Sequence, residues 1–156
     1  MSRILVAHSD PLIRKDFRQI VEAEPTIEEV GEAATGMEAL DHLRRSAWQL
    51  VLLALSLPDR TGHYILRHIV SRYPGVCVLM MGALPKARYA RNFLRTGAKG
   101  YVSTTGAPSE LLDAVRIVLG GHRYLNPSLA KAITADPNYD QRPLDYQRGN
   151  YKFSSS

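Results

Sequence analysis

Few side chains in this 156-residue chain have the type and spacing that chemistry requires. His8 and Ser9 follow the apolar run Ile4-Leu5-Val6-Ala7. An imidazole at such a turn can ligate a metal or titrate near neutral pH. No second ligand stands at motif spacing, so a structural role is the plainer expectation. Asp10 precedes Pro11, the pairing of a helix N-cap with proline at the first helical position. It is also the one carboxylate placed to act as a ligand there. Asp59 lies beyond a second apolar run and reads as a solvated turn residue or a displaced acceptor. Cys77 is the single cysteine, so no disulfide forms within the chain and no cysteine pair can hold a metal. A buried thiol in a reducing cytoplasm is the default reading. No nucleophile–base pair occurs, so neither an enzyme, a metal nor another cofactor is expected.

The elements that must position these residues alternate strictly. Ile4-Leu5-Val6-Ala7 reads as a buried strand. Ile13, Phe17, Ile20 and Val21 then mark one face of a helix. Ile27–Ala33 reads as a second strand, and Met37, Leu40 and Leu43 as a second helix. Residues 50–55 are wholly apolar, which suits a central parallel strand buried on both faces. Ile65, Leu66, Ile69 and Tyr73 pattern a third helix, and residues 76–81 a fourth strand. Tyr89, Phe93 and Leu94 mark a fourth helix closed by Gly97. Gly100-Tyr101-Val102-Ser103 is a short fifth strand. Leu111, Leu112, Val115, Val118 and Leu119 give a fifth helix that stops at Gly120-Gly121. Five such units predict one parallel sheet with helices on both faces and right-handed crossovers. Functional loops then belong at the carboxyl ends of the strands.

Hydrophobic residues make up 45% and charged residues 22%, the globular range. The net charge is +5, which fits an acidic partner surface, nearby DNA or a solvated basic surface. Lys86, Arg88, Arg91, Arg95 and Lys99 place basic charge on and just after the fourth helix, as a solvated face or an interaction face. No signal peptide or membrane span is visible, so a cytoplasmic protein with no membrane partner is expected. Residues 1–135 read as one domain. Residues 136–156 carry balanced charges and no helical stripe, and read as a linker or flexible tail.

Several spaced motifs resemble receiver domains of response regulators. They are Ile4–Ala7 with Asp10-Pro11-Leu12-Ile13-Arg14, Val30-Gly31-Glu32-Ala33-Ala34-Thr35-Gly36, Leu55-Ser56-Leu57-Pro58 with Gly62, and Gly97-Ala98-Lys99-Gly100-Tyr101. Gly121-His122-Arg123-Tyr124-Leu125-Asn126-Pro127 is similar to the segment closing receivers of the NarL/FixJ (LuxR-type) branch. The resemblance implies a flavodoxin-like (CheY-like) doubly wound sheet of five strands in the order 2-1-3-4-5. It also implies a phosphorylation site. Two acidic residues after the first strand and an aspartate ending the third hold Mg²⁺, a hard cation that needs carboxylate oxygens. That aspartate is the nucleophile. A hydroxyl after the fourth strand and a lysine after the fifth contact the phosphoryl group. At those five positions this chain carries His8 and Ser9, Ala54, Gly82 and Thr104. The expectation is a degenerate pseudo-receiver that binds no Mg²⁺ and takes no phosphoryl group.

Tyr101 matches the aromatic that moves between exposed and buried positions in the family. Here it is frozen, an interface anchor, or simply packed in its strand. The resemblance implies a homodimer or another protein partner, using the first and fifth helices or the fourth helix with the fifth strand. It implies DNA contact only through a separate C-terminal domain. In the LuxR-type branch such a domain follows a linker of about this length, and Ser154-Ser155-Ser156 falls where it begins. The leading expectation is a phosphorylation-independent transcription regulator. A stand-alone adaptor and a small-molecule sensor using the vacated pocket are the alternatives.

Overall fold

A computed structural model describes residues 1–83, 87–125, 127–135 and 151–152. The core is a parallel sheet. Its strands are β1 (Ser2–Ala7), β2 (Ile27–Ala33), β3 (Leu50–Ala54), β4 (Cys77–Gly82) and β5 (Gly100–Ser103). They lie in the order β2-β1-β3-β4-β5. Every residue of β3 is buried, because this strand has neighbours on both edges and helices on both faces. The intervening helices are α1 (Pro11–Glu22), α2 (Gly36–Arg45), α3 (Gly62–Arg72), α4 (Ala87–Thr96) and α5 (Pro108–Leu119). α1 packs against α5, while α2, α3 and α4 pack as a consecutive row.

Helix starts follow local chemistry. The Asp10 carboxylate accepts the Leu12 N–H at 2.9 Å, with Pro11 at the first helical position. Thr35 and Thr61 cap α2 and α3 in the same way, each accepting an N–H at 3.1 Å. Gly97 ends α4 with φ of 127°, a backbone region that favours glycine.

The expected alternation and strand order hold, and the sheet goes further than five strands. β6 (Arg123–Tyr124) pairs with β5, and β7 (Tyr151–Lys152) pairs with β6. Between them α6 (Pro127–Ala135) packs on α4. Gly100 permits the β5–β6 approach, since a Cβ there would lie 2.3 Å from the Tyr124 carbonyl oxygen. β7 falls within the segment expected to be linker or tail.

Candidate functional site

His8, Ser9, Ala54, Gly82 and Thr104 all lie at the carboxyl end of one sheet. The register fixes this. Ala7 pairs with Leu53, and Ala54 pairs with Met81. Gly82 pairs with Ser103, and the Thr104 N–H donates to the Gly82 carbonyl at 3.0 Å. The five positions therefore top four adjacent strands.

At β1 the backbone turn is held from within the chain. The His8 N–H donates to the Ala33 carbonyl at 3.0 Å. The His8 Nδ1 accepts the Asp10 N–H at 2.9 Å. The Arg14 guanidinium donates to the His8 carbonyl at 2.7 Å and to the Ser9 carbonyl at 3.3 Å. Glu32 steadies Arg14 at 3.2 Å and also pairs with Arg18 at 2.7 Å. The Arg18 hydrogen bond, helped by Arg14, holds the Glu32 carboxyl below its ordinary range.

The ligand set does not fit Mg²⁺. The three positions that would coordinate it present an imidazole already engaged at Nδ1, a serine and a methyl group. The nearby Asp10 carboxylate is committed as a helix cap. Among the described residues, no group of three or more His, Cys, Asp or Glu side chains is arranged to hold a metal.

Ala54 is 2% exposed, so its methyl group is packed and not open to a reactant. The next residue closes the space beside it. A Cβ on Gly82 would lie 2.8 Å from Leu55 Cδ1 and 3.0 Å from the Tyr101 hydroxyl. Leu55 and Tyr101 thus take the room that a side chain at position 82 would need. Tyr101 is 1% exposed, and its hydroxyl donates to the Ala83 carbonyl. Burial pushes this phenol well above its ordinary range. Among the expectations for Tyr101, the inward, packed one matches this placement.

Asp59 is a turn residue whose carboxylate is tied to another element. Its carboxylate accepts the Gly36 N–H at 2.8 Å and the Met37 N–H at 3.0 Å, anchoring the start of α2. The bond from Gly36, with that from Met37, lowers its pKa. No local pattern revealed this contact, because it joins residues 23 apart in sequence. Cys77 is half-buried, not fully buried, because it opens β4; burial still pushes its thiol up.

The basic run after β4 is not one surface. Arg91 is only 6% exposed and lies on the α4 face that buries Ala90 and Leu94. This corrects the expectation that Arg91 joins an interaction face. α4 is packed between α3 and α6, and α6 was not read from the sequence. Arg95 is exposed and Lys99 half-buried. Lys86 and the side chain of Arg88 lie outside the described residues.

His8 makes a testable contribution to pH dependence. Burial, with some help from Arg14, lowers its pKa below the ordinary 6.5, partly offset by Asp10. The geometry agrees, because a protonated Nδ1 cannot accept the Asp10 N–H. The unfolded chain then binds the proton more readily than the folded one. This contribution is flat above about pH 6.5 and turns unfavourable as pH falls through that value toward the depressed one. His8→Asn keeps an acceptor without a titrating group. Urea midpoints of the variant should fall less steeply in that window than those of the wild type. Parallel curves would remove His8 from the account.

A doubly wound parallel sheet in the order β2-β1-β3-β4-β5, with its candidate site at the carboxyl ends of the strands, defines a CheY-like module. The response regulator receiver domain family matches residues 4–116. The chain belongs to that family. UvrY of Escherichia coli K12 is 30% identical over 133 residues, covering 85% of this chain and 61% of UvrY. GacA of Pseudomonas viridiflava is 25% identical over 148 residues, covering 93% of this chain and 69% of GacA. Both are named as response regulators. A LuxR-family two-component response regulator from Aurantimonas sp. SI85-9A1 superposes with a TM-score of 0.80 at 29% identity, covering 86% of this chain and 96% of that one. No helix among the described residues is long and apolar enough to cross a membrane.

Proposed function

We propose that this chain is a receiver that has lost phosphoryl chemistry and controls transcription through protein contacts, independently of phosphorylation. The observation that carries this reading is Ala54, a packed methyl group where the family places its nucleophile. Without a carboxylate no acyl phosphate forms. Arg14 adds support. Its fixed guanidinium already holds the His8 and Ser9 carbonyls, so no divalent cation is required to order that turn.

The test is direct. Incubation with Mg²⁺ and acetyl phosphate should add no phosphoryl mass to the protein. Beryllofluoride with Mg²⁺ should leave the amide resonances of residues 7–10, 54–56, 82 and 104 in place. A stoichiometric mass gain, or saturable shifts at those amides, would overturn the proposal.

The protein contact is a homodimer through α1 and α5. α4 is flanked by α3 and α6, and the β5 edge is taken by β6. The chain's own C-terminal elements thus occupy much of the alternative face. Light scattering over a concentration series should show mass rising toward twice the monomer. Monomer at every concentration would leave only a different protein as the partner. A sensor function finds no comparable support, because Leu55 and Tyr101 fill the space beside Gly82.

A further inference from the structure

The segment from Arg60 to Ser109 contains no aspartate or glutamate, yet it holds Arg60, Arg67, Arg72, Lys86, Arg88, Arg91, Arg95 and Lys99. This stretch of 50 residues carries +8, so the remainder of the chain carries −3 of the total +5. The fold places the best-described part of that charge on the outer side of α3.

α3 buries Ile65, Leu66 and Ile69 against the sheet. Its other side bears two stripes at i, i+4 spacing, His63–Arg67–Ser71 and Tyr64–His68–Arg72. Arg67, Ser71 and Arg72 are exposed, and Tyr64 is half exposed. These residues line an open groove of about 560 Å³. Arg60 lies over the Tyr64 ring at 5.4 Å, extending the basic line beyond the helix start. No carboxylate is among the groove's lining residues, and two on or bound to α2 are engaged elsewhere. Asp59 caps α2, and Asp41 pairs with Arg44 and with Arg45, the latter at 2.7 Å. No ion pair among the described residues involves Arg67 or Arg72.

We propose that this face of α3 binds the phosphate backbone of double-stranded DNA without reading its sequence. Uniform charge is the deciding feature. The buried core of a protein interface is depleted of charged residues and enriched in apolar ones, which this face does not offer. This groove offers cations, hydroxyls, imidazoles and an aromatic ring, and no aliphatic side chain is among its lining residues. DNA interfaces are more polar and far more positive than protein interfaces. Arginine and serine are among the groups that take phosphate oxygens. The receiver itself then contacts DNA, beyond any separate DNA-binding domain. This contact requires neither the loss of phosphorylation nor dimerisation, so its test stands apart from theirs.

The test is fluorescence anisotropy of a labelled random-sequence duplex against this 156-residue chain, over a salt series. Affinity should fall with salt at a slope of about −0.9 per phosphate neutralised. R67A/R72A should flatten that slope by about two and weaken binding equally across sequences. R44A/R45A, on α2 beside Asp41, should leave it nearly unchanged. Circular dichroism checks that each variant is folded. The proposal is overturned by absent binding at low salt, or by equal loss in both double variants. Equal affinity for polyglutamate would assign the face to acidic protein instead. Salt-sensitive self-association without DNA binding would assign it to the acidic β2 edge of a second copy. Either result also overturns the proposal.

Discussion

Ala54→Asp should destabilise the protein by about 4 kcal/mol near neutral pH and should not make it a phosphoryl acceptor. Ala54 is 2% exposed, so a side chain at this position starts from a buried site. A carboxylate there is a buried charge. The positions around it supply no lysine and no second carboxylate for a shared Mg²⁺, only His8, Ser9, Gly82 and Thr104. Burial must then raise the pKa of the new aspartate above the unfolded value of about 3.9. The sign follows. The deficit is absent below the unfolded pKa, grows as pH rises toward the folded value, and is constant above it. Urea unfolding near neutral and at mildly acidic pH measures both the size and the recovery. Mass spectrometry after treatment with acetyl phosphate and Mg²⁺ measures acceptance. A stable variant that takes up one phosphoryl group would mean that Ala54 alone had silenced the site. The other four positions would then have no part in it.

What the sequence disclosed, and what it concealed, follows contact distance along the chain. β3 was legible because residues 50–55 form an unbroken apolar run of strand length within an alternating pattern of strands and helices. The caps at Asp10, Thr35 and Thr61 act within three residues of themselves, and Asp10 with Pro11 was visible as a pair. β6 and β7 have two residues each, too few to show any alternation. α6 offered only Leu129 and Ile133 as a stripe, and missing it put Arg91 on the wrong side of its helix. The five altered positions were visible through resemblance alone. How they are compensated was not. Arg14 reaching back to His8, and Asp59 capping α2, are spatial contacts with no sequence signature. The acid-free stretch from Arg60 to Ser109 was open to inspection. That α3 presents part of it to solvent depends on which side of the helix meets the sheet.

Gly82→Thr tests whether the pocket and Tyr101 are one packed unit. Restoring a hydroxyl side chain sounds mild, yet its Cβ alone would fall 2.9 Å from Leu55 Cγ and 3.0 Å from the Tyr101 oxygen. Leu55 is half-buried and can swing toward solvent, which would clear one clash. The phenol has no such freedom while it donates to the Ala83 carbonyl. The added methyl and hydroxyl of threonine therefore press on Tyr101 and break that bond. Overpacking and a lost buried hydrogen bond together should cost about 2 kcal/mol. The phenol should also become accessible. In spectrophotometric titration, one tyrosine that resists ionisation in the wild type should ionise nearer pH 10 in the variant. Adding Leu55→Ala to Gly82→Thr should leave the contact with the phenol in place and keep Tyr101 displaced, because the tyrosine clash is independent of the leucine. If Gly82→Thr with Leu55→Ala instead returns Tyr101 to its buried titration, Leu55 is the true occupant of the vacated site. Tyr101 would then be no more than a packed strand residue.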